Sequence, residues 1–366
     1  MRKFFYRILR RIKVCSIKAV NSIKRSSKSR QLDYEVEVIA ERLSIPWAID
    51  ISQEGKIYFT ERPGRIRVVE NGKLNPEPLI TLGSPFISQG EGGLMGIALD
   101  PNFSQNHYIY VMHTYMEVNQ MYNRVIRLVE NNNKASIDKI ILDKIPGGRI
   151  HNGGRIKIGP DKKLYITTGD AGNSNLAQDS ESTAGKILRI NLDGSIPRDN
   201  PISGSPVYTL GHRNPQGIAW NSKNILYSSE HGQSAHDEIN MIEPGSNYGW
   251  PLVQGDEDLT DLNLKKPLIH SGEETWAPSG IAFINQGARK DNLLVATLRG
   301  QKLLVMSFNG SGAKATNVEV LFENSYGRLR EVVVGKDGAI YLSTSNRDGR
   351  GNPAINDDRI IRVVLK

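Results

Sequence analysis

Short runs in which apolar and polar residues alternate recur along most of the chain, and turn-forming residues separate them. Alternation with a period of two is typical of half-buried β-strands, whereas glycine, proline, asparagine and aspartate between such runs are typical of turns. The 35 glycines and 17 prolines among 366 residues fit many tight turns between short strands. The pattern therefore predicts an all-β fold.

A pattern of three strands recurs six times along the body of the chain. Each copy has a first strand with a small residue and an aliphatic core, a second strand that tyrosine usually marks, and a third strand with strict alternation. The first strands contain WAIDI (47–51), GIAL (96–99), GRIKI (154–158), GIAW (217–220), GIAF (280–283) and LREVVV (329–334). Repeats of this size that span a whole domain are typical of β-propellers, in which each copy forms one blade. Six copies predict six blades.

The last copy indicates how the ring closes. A fourth, outer strand fits between successive copies, but the sixth copy ends at Lys366 without one. The segment YEVEVIAERL, residues 34–43, precedes the first copy and has no inner strand of its own. We therefore predict that it pairs with the last blade, which would remove the exposed sheet edge of an open array. The fold prediction is a six-bladed β-propeller of four-stranded blades over residues 31–366.

The formal charge of +8, from 47 basic and 39 acidic residues, is distributed unevenly. Residues 1–30 hold eleven Lys or Arg and no acid, which leaves a net charge of −3 on residues 31–366. The body therefore does not have the positive charge expected of a nucleic-acid-binding domain. In the basic arm, Phe4, Ile8 and Leu9 recur at roughly helical spacing, which predicts either an amphipathic helix on an anionic membrane surface or a disordered tail.

The same arm bears on targeting and on cysteine chemistry. Its longest uncharged run is too short and too polar for the core of a secretory signal, so no signal peptide is predicted. No stretch of the chain reaches the roughly 18 uninterrupted apolar residues of a membrane-spanning helix. The single cysteine, Cys15, lies in the arm. Disulfides, cysteine-ligated zinc and cysteine catalysis are therefore excluded from the body.

Chemically capable side chains concentrate on one predicted rim. In a propeller blade the segment that enters the first strand and the segment that leaves the second strand lie on the same face. Arginines at such positions are Arg213, Arg299, Arg328 and Arg330. Clustered guanidinium groups repel one another and are expensive to desolvate, so four of them predict a ligand that carries several carboxylates or phosphates. The alternative for each arginine is a salt bridge to a neighbouring blade.

Long ordered segments of the chain resemble a known family. They are GEGGLMGIALDPNF (90–103), HNGGRIKIGPDKKLYITTGD (151–170), GHRNPQGIAW (211–220), DEINMIEPGSNYGWP (237–251), LRGQKL (298–303) and GRLREVVVGKDGAIYLSTSNRDG (327–349). From about residue 36 to 366 the chain resembles the soluble glucose/sorbosone dehydrogenases, which are aldose sugar dehydrogenases dependent on pyrroloquinoline quinone (PQQ). The resemblance implies a six-bladed propeller that binds PQQ, a planar tricarboxylate ortho-quinone, together with calcium. It also implies oxidation of an aldose at C1 to the lactone, an external electron acceptor and an extracytoplasmic location.

The resemblance assigns roles residue by residue. It makes His151 of HNGGR the general base that removes the C1 hydroxyl proton while a hydride passes to the quinone, a task that suits an imidazole. The implied cofactor-binding residues are Glu91, His151, Arg213, Asn214, Arg299, Arg328 and Arg330. Glu91 stands where glutamine is common, and a carboxylate there would repel an anionic quinone unless it were protonated or turned away.

Calcium requires six to eight oxygen ligands, for which backbone carbonyls serve well. The resemblance implies Gly232 and Gln233 at an ion beside the cofactor, where the ion would polarise the quinone oxygen. It implies Glu238 and the Tyr248 carbonyl at a second, structural ion. For Glu238 the alternative is a carboxylate that caps a turn, and His231 receives no role.

The same architecture also occurs in calcium-dependent lactonases and in non-catalytic ligand-binding propellers, so the fold alone does not select a function. A lactonase would hold calcium deep in the channel with carboxylates and amides from several blades, which the arginine-rich rim disfavours. A binding-only propeller would have lost the base, which the intact HNGGR and GHRN segments disfavour. The sequence therefore predicts a PQQ-dependent oxidoreductase with a sugar substrate.

Overall fold

The structure, a computed structural model, describes residues 33–257 and 263–366. The amphipathic pattern of residues 1–30 and Cys15 lie outside the described residues. Within the described ranges, no helix has both the length and the apolar character needed to cross a bilayer.

Six sheets account for the regular structure of the described chain. The first strand is β1 (Tyr34–Ala40). Blade 1 contains β2 (Pro46–Ile51), β3 (Ile57–Glu61), β4 (Arg65–Glu70), β5 (Lys73–Leu74) and β6 (Ile80–Thr81). Blade 2 contains β7 (Leu94–Leu99), β8 (Tyr108–Glu117), β9 (Gln120–Asn131) and β10 (Lys134–Pro146). Blade 3 contains β11 (Ile156–Ile158), β12 (Leu164–Thr168), β13 (Lys186–Ile190) and β14 (Val207–Leu210). Blade 4 contains β15 (Pro215–Trp220), β16 (Leu226–Glu230), β17 (Glu238–Ile242) and β18 (Ile269–His270); blade 5 contains β19 (Pro278–Phe283), β20 (Leu293–Thr297), β21 (Leu303–Phe308) and β22 (Ala315–Leu321); blade 6 contains β23 (Leu329–Val334), β24 (Ile340–Thr344) and β25 (Ile360–Leu365). Short helices are α1 (Phe103–Asn106) and two 3-10 turns, Ser174–Ala177 and Gly287–Arg289.

The strand order confirms the predicted propeller. In blades 2 to 5, four consecutive strands form one antiparallel sheet in chain order. In blade 1 the outer position holds two short strands, β5 and β6, which pair with different parts of β4. Blade 6 receives its fourth strand from the N-terminal side, as predicted.

β1 closes the ring by pairing antiparallel with β25. The register runs from Tyr34 opposite Leu365 to Ala40 opposite Ile360. Two backbone hydrogen bonds between Leu43 and Asp358, of 3.0 and 3.2 Å, continue the junction beyond the strand. The terminal blade is therefore built from both ends of the described chain.

The small residue in the repeated first strand has a physical reason. A Cβ atom on Gly96 would overlap the carbonyl oxygen of Gly154, and one on Gly217 would overlap that of Ser279. The innermost strands of neighbouring blades thus approach too closely for a side chain at these positions. Because all the inner strands begin on the same face of the ring, here called the top face, the residues that precede them converge around the central channel.

Candidate active site

A cavity of about 190 Å³ opens where the inner strands begin. Every blade contributes to its wall, with Trp47, Glu91, Asn152, Asn214, Leu298 and Arg330 among the lining residues. Three of the predicted cofactor-binding residues, Glu91, Asn214 and Arg330, therefore face one space. The Asn214 side chain also joins two blades, because its Oδ1 accepts a 3.0 Å hydrogen bond from the Gly153 backbone N–H.

His151 lies between the lining residues Glu91 and Asn152 and is oriented by Asp170. Its Nδ1 is 2.8 Å from Asp170 Oδ1, and the two side chains are 14% and 2% exposed. Trp250 Nε1 donates to the other Asp170 oxygen at 2.9 Å. Burial alone would raise the pKa of the Asp170 carboxyl, but hydrogen bonds from His151, Gly172 and Trp250 hold that pKa below its ordinary value. An ionised Asp170 requires Nδ1 to carry the proton, which leaves Nε2 as the proton acceptor.

The backbone of His151 is held in an unusual conformation. Its φ of +55° lies in the left-handed region, which costs a residue with a Cβ roughly 1–2 kcal/mol. Two contacts fix it: its N–H donates to Glu91 Oε2 at 2.8 Å, and its carbonyl accepts from the Ala171 N–H at 3.0 Å. Strain that neighbouring residues enforce in this way is common at functional sites.

Glu91 is neither protonated nor unpaired. Burial raises the pKa of its carboxyl, but the His151 N–H and Arg350 outweigh that effect and lower the pKa below its usual value. Arg350 Nη1 lies 2.8 Å from Glu91 Oε1. The negative charge that could repel an anionic ligand is therefore balanced within the cavity wall.

The arginines of blade 6 share one acid. Arg328 donates to Asp348 Oδ2 from Nε at 3.0 Å and from Nη2 at 2.9 Å, while Arg330 Nη2 is 3.8 Å from the same oxygen. Arg330 Nη1 also donates to Gln216 Oε1 at 3.0 Å, and burial lowers the pKa of Arg330 to about 9. The predicted rim arginines are thus not all unpaired, because Asp348 neutralises part of their charge.

The two remaining predicted arginines differ from each other. The Arg213 guanidinium lies 5.3 Å from the centre of the Trp250 ring in a small cavity that also contacts His231. Burial lowers the pKa of Arg213. Arg299 is exposed, although its neighbour Leu298 lines the central cavity. The structure therefore gathers Arg213, Arg328 and Arg330 near the cavity and leaves Arg299 on its outer edge.

Positive charge exceeds negative charge around the cavity. The charged residues that line the cavity are Arg62, Arg330, Arg350, Glu91 and Asp348, so three cations face two acids. Arg328 pairs with Asp348 at the edge of this group, and Arg213 lines the adjoining small cavity together with Glu230. In the described part of the chain, the buried Nε atoms of Arg62, Arg213 and Arg330 have no hydrogen-bond partner. These free donors fit a ligand that carries carboxylate or other acceptor oxygens.

The predicted metal residues lie beside the cavity in blade 4. Glu238, Tyr248 and Gly232 line one space of about 20 Å³, whereas Gln233 is exposed. Burial, reinforced by the nearby Glu230 carboxylate, raises the pKa of Glu238 to about 8. Within the described ranges no three His, Cys, Asp or Glu side chains form a metal-binding group, so carbonyl oxygens would have to complete a calcium shell at Glu238.

A second observation fits a cation near Glu238. The Asn240 Nδ2 donates to Glu238 Oε2 at 3.1 Å, while Asn240 Oδ1 is buried and has no partner among the described residues. Burial disfavours the anionic form of the Glu238 carboxyl, and a bound cation would offset that cost. The carboxylate and the unsatisfied Asn240 amide oxygen together would be suitable hard ligands for such a cation.

Several residues of the site received no role from the sequence. Three of them follow a second strand of the repeat and so lie on the predicted rim: Arg62, Asp170 and Asp348. Their place in the repeat is the sequence signal by which they could have been identified. Arg350 lies in the turn that follows and carried no such signal. His231 lines the cavity with an unpartnered, buried Nε2, and burial lowers its pKa to about 4, so its ring is neutral at pH 7.

Comparison with known proteins gives a consistent assignment. The family model described as glucose/sorbosone dehydrogenase matches residues 43–361. Aldose sugar dehydrogenase YliI of Escherichia coli K12 is 31% identical over 340 residues, which cover 86% of this chain and 91% of that protein. Quinoprotein glucose dehydrogenase B of Acinetobacter calcoaceticus is 36% identical over 269 residues, or 63% of this chain and 55% of that protein. The PQQ-bound aldose sugar dehydrogenase of Streptomyces coelicolor superposes with a TM-score of 0.83 at 36% identity, over 92% of this chain and 99% of that one.

Proposed function

This chain belongs to the glucose/sorbosone dehydrogenase family, and we propose that it oxidises aldose sugars at C1 to the lactone with PQQ as cofactor. The observation that carries the proposal is the oriented His151–Asp170 pair beside a cavity that is lined by three arginines and two acids. The base and the anion-binding wall are the two elements that this reaction requires of the protein.

The donor set of the cavity supports PQQ. The carboxylates of PQQ would provide acceptor oxygens for the unpartnered Nε atoms of Arg62, Arg213 and Arg330. When bound, PQQ supplies an ortho-quinone that accepts a hydride from the sugar. The Trp47 ring, 4.3 Å from the Arg155 guanidinium carbon, lines this space. Arg155 in turn pairs with the buried Glu331, so its charge is balanced within the protein.

His151 performs the proton chemistry in this proposal. Its Nε2 takes the proton of the C1 hydroxyl as the C1–H bond breaks with its electron pair, and the C1–O bond gains double-bond character. The ionised Asp170 stabilises the imidazolium that forms, and Trp250 keeps Asp170 in place. The ring therefore stays in one tautomer and one orientation throughout the transfer.

Calcium is proposed at Glu238 with the Tyr248 carbonyl, supported by the raised pKa of Glu238 and the unsatisfied Asn240 oxygen. Gly232 and Gln233 remain the proposed ligands of an ion beside the cofactor. Gly232 lines the same small cavity as Glu238, whereas Gln233 is exposed. The structure therefore supports Gly232 as an ion ligand more than it supports Gln233.

Reconstitution tests the proposed function. The apo protein is titrated with PQQ in the presence of Ca²⁺ while tryptophan fluorescence is followed, and reduction of an artificial dye is then assayed with aldoses as donors. We expect saturable binding at micromolar PQQ or below and dye reduction that requires both PQQ and sugar. Absence of PQQ binding would overturn the proposal in favour of a binding-only propeller, and Ca²⁺-dependent lactone hydrolysis without PQQ would favour a lactonase.

A further inference from the structure

Arg62 follows β3 directly and lines the central cavity from blade 1. Its Nε is buried, and no described residue forms a hydrogen bond or an ion pair with its guanidinium. The next arginines along the chain are different: Arg65 lies 2.7 Å and Arg67 3.7 Å from a Glu61 oxygen. Among the three arginines of this hairpin, Arg62 is therefore the one that forms no ion pair with a described residue.

The two acids of the cavity are already engaged elsewhere. Asp348 accepts both hydrogen bonds from Arg328, and Glu91 binds Arg350 and the His151 N–H. Burial lowers the pKa of Arg62, and the positive charges of Arg350 and Arg328 act in the same direction against the pull of the two acids. The half-buried Arg62 guanidinium, with its Nε shielded from solvent, therefore lacks a paired anion.

The backbone around Arg62 is built to hold it there. Its N–H donates to the Ile45 carbonyl at 3.0 Å, and its carbonyl accepts from the Leu94 N–H at 2.9 Å. A Cβ on Gly93, whose φ is +151°, would overlap the carbonyl oxygen and the Cγ of Arg62. Glycine at this position therefore leaves room for the arginine stem to pack against the neighbouring blade.

We propose that Arg62 is a further anion-binding residue of the cofactor site, which donates from blade 1 to a carboxylate of bound PQQ. The inference rests on the proposed function and deepens it. The arginines implied by the resemblance come from blades 4 to 6, whereas Arg62 approaches from the blade that follows in the ring. A guanidinium presents its donors in a planar fork that matches a carboxylate, which lysine and glutamine do not reproduce.

A binding role and a structural role for Arg62 predict opposite effects on the apo protein. An unpaired, half-buried charge does not stabilise the fold, so its removal leaves the midpoint of thermal unfolding unchanged or raises it. A structural arginine would lower that midpoint when removed. The stability of the apo protein is therefore a readout that does not depend on catalysis.

The experiment compares Arg62→Gln and Arg62→Lys with the control Arg65→Gln, which removes an arginine from the same hairpin outside the cavity. For each, the Kd for PQQ is measured by fluorescence titration with Ca²⁺, and unfolding of the apo protein by calorimetry. Loss of one charge-assisted contact is expected to weaken PQQ binding by about 10- to 100-fold in Arg62→Gln. We expect a smaller loss in Arg62→Lys and a change within about twofold in Arg65→Gln.

Each result decides the inference. If the wild type binds PQQ and Arg62→Gln binds it with the same Kd, the inference is overturned and the proposed function stands. Weaker binding together with a lower unfolding midpoint assigns a structural role and also overturns it. Failure of the wild type to bind PQQ rejects the proposed function and this inference with it. If Arg62→Gln does not fold, Arg62→Lys decides: weaker binding at an unchanged midpoint supports the proposal, and an unchanged Kd rejects it.

Discussion

At the scale of single residues, the chemistry of His151 depends on partners from other parts of the ring. Glu91 in blade 2 holds its backbone, Asp170 in blade 3 holds its ring, and Trp250 in blade 4 holds Asp170. The left-handed φ of His151 persists because these contacts fix it from several sides. In the proposed mechanism, a base held in this way needs little reorganisation when substrate binds.

Replacement of His151 by alanine removes the proton acceptor and leaves the arginines in place. We expect His151→Ala to reduce kcat by about 10²- to 10⁴-fold, the usual contribution of general acid and base catalysis. The Kd for PQQ, measured by fluorescence titration, should change little. Unchanged turnover would remove His151 from the mechanism.

Asp170→Asn tests the orienting contact. An amide cannot stabilise an imidazolium as a carboxylate does, and its NH₂ group can turn the ring to the wrong tautomer. We expect kcat to fall by about 10-fold or more, but by less than in His151→Ala. Trp250→Phe is the matched control, since it removes one hydrogen bond to Asp170 and keeps the charge. A loss in Trp250→Phe equal to that in Asp170→Asn would contradict an electrostatic role for Asp170.

Pairings between rim residues were the part of the site that the sequence did not predict. The rim position of Asp348 was evident, but its hydrogen bonds to Arg328 depend on how the turn after β24 folds back over β23. Likewise, the sequence left open whether Glu91 was protonated or turned away, whereas the structure pairs it with Arg350. Repeats define where a side chain stands, while its partner depends on loop conformations that have no period.

At the scale of the strand and loop, the inner strands were predictable and the outer ones were less so. Inner strands such as β7 are buried along their whole length, so packing restricts their residues. The outer strands bury less and vary more. Between the first two copies, where one outer strand was predicted, the structure has the two short strands β5 and β6, and β18 has two residues without a recognisable alternation. Fewer buried contacts leave a weaker pattern in the sequence.

The turn after β24 contains Asp348, whose ionisation depends on the neighbouring arginines. Asp348 accepts from Arg328 and from the Arg350 N–H; burial raises the pKa of its carboxyl, and the charges of Arg330 and Arg328 lower it below its usual value. Because the folded state lowers this pKa, Asp348 stabilises the fold above the pKa of the unfolded chain, and that contribution is lost as the pH falls through the folded value.

Asp348→Asn should therefore destabilise the apo protein at pH 7 by about 3 kcal/mol, as the loss of one partner of a buried ion pair usually does. The difference from wild type should begin to shrink below about pH 4, where Asp348 of the unfolded chain takes up its proton, and should be lost as the pH falls through the lower pKa of the folded state. PQQ binding at pH 7 should become tighter, since one negative charge leaves the cavity. Denaturant unfolding across pH and a PQQ titration provide the measurements, and an unchanged stability difference at low pH would contradict the assignment.

Calcium at β17 is testable through stability. If Glu238 binds the ion, millimolar Ca²⁺ should raise the unfolding midpoint of the wild type, and a chelator should reverse the effect. Glu238→Gln keeps the shape of the side chain but cannot form the carboxylate that would bind the ion, so the Ca²⁺-dependent shift should largely disappear. Glu319→Gln, on β22 of blade 5, is the control in which the shift should persist. An equal shift in both variants would place the calcium elsewhere.

At the scale of the whole molecule, charge is separated between the body and its cavity. Residues 31–366 carry a net charge of −3, whereas the residues that line the cavity include three arginines and two acids. A positive cleft in a negative surface directs an anionic ligand to one place. The net charge calculated from the sequence does not reveal this separation, because the separation depends on which rim residues come together in the fold.

Ring closure was predictable because it follows from counting strands, and it leads to a test by truncation. β1 covers β25, whose Ile360, Ile361 and Val363 are buried, and Leu43 is bonded to Asp358 beyond the strand. Deletion of residues 1–30 should leave the unfolding midpoint and the activity unchanged. Deletion through Leu43 should expose the edge of β25 and favour aggregation, which size-exclusion chromatography and light scattering would detect.

The shorter deletion also isolates the basic arm. It removes eleven positive charges, so any sedimentation of the protein with anionic vesicles should be lost while catalysis is retained. Vesicles of neutral lipid are the control, because they lack the charge that would attract the arm. Unfolding on deletion of residues 1–30 would make the arm part of the fold. A soluble, monomeric protein with an unchanged midpoint after deletion through Leu43 would show that the propeller does not need β1 to close.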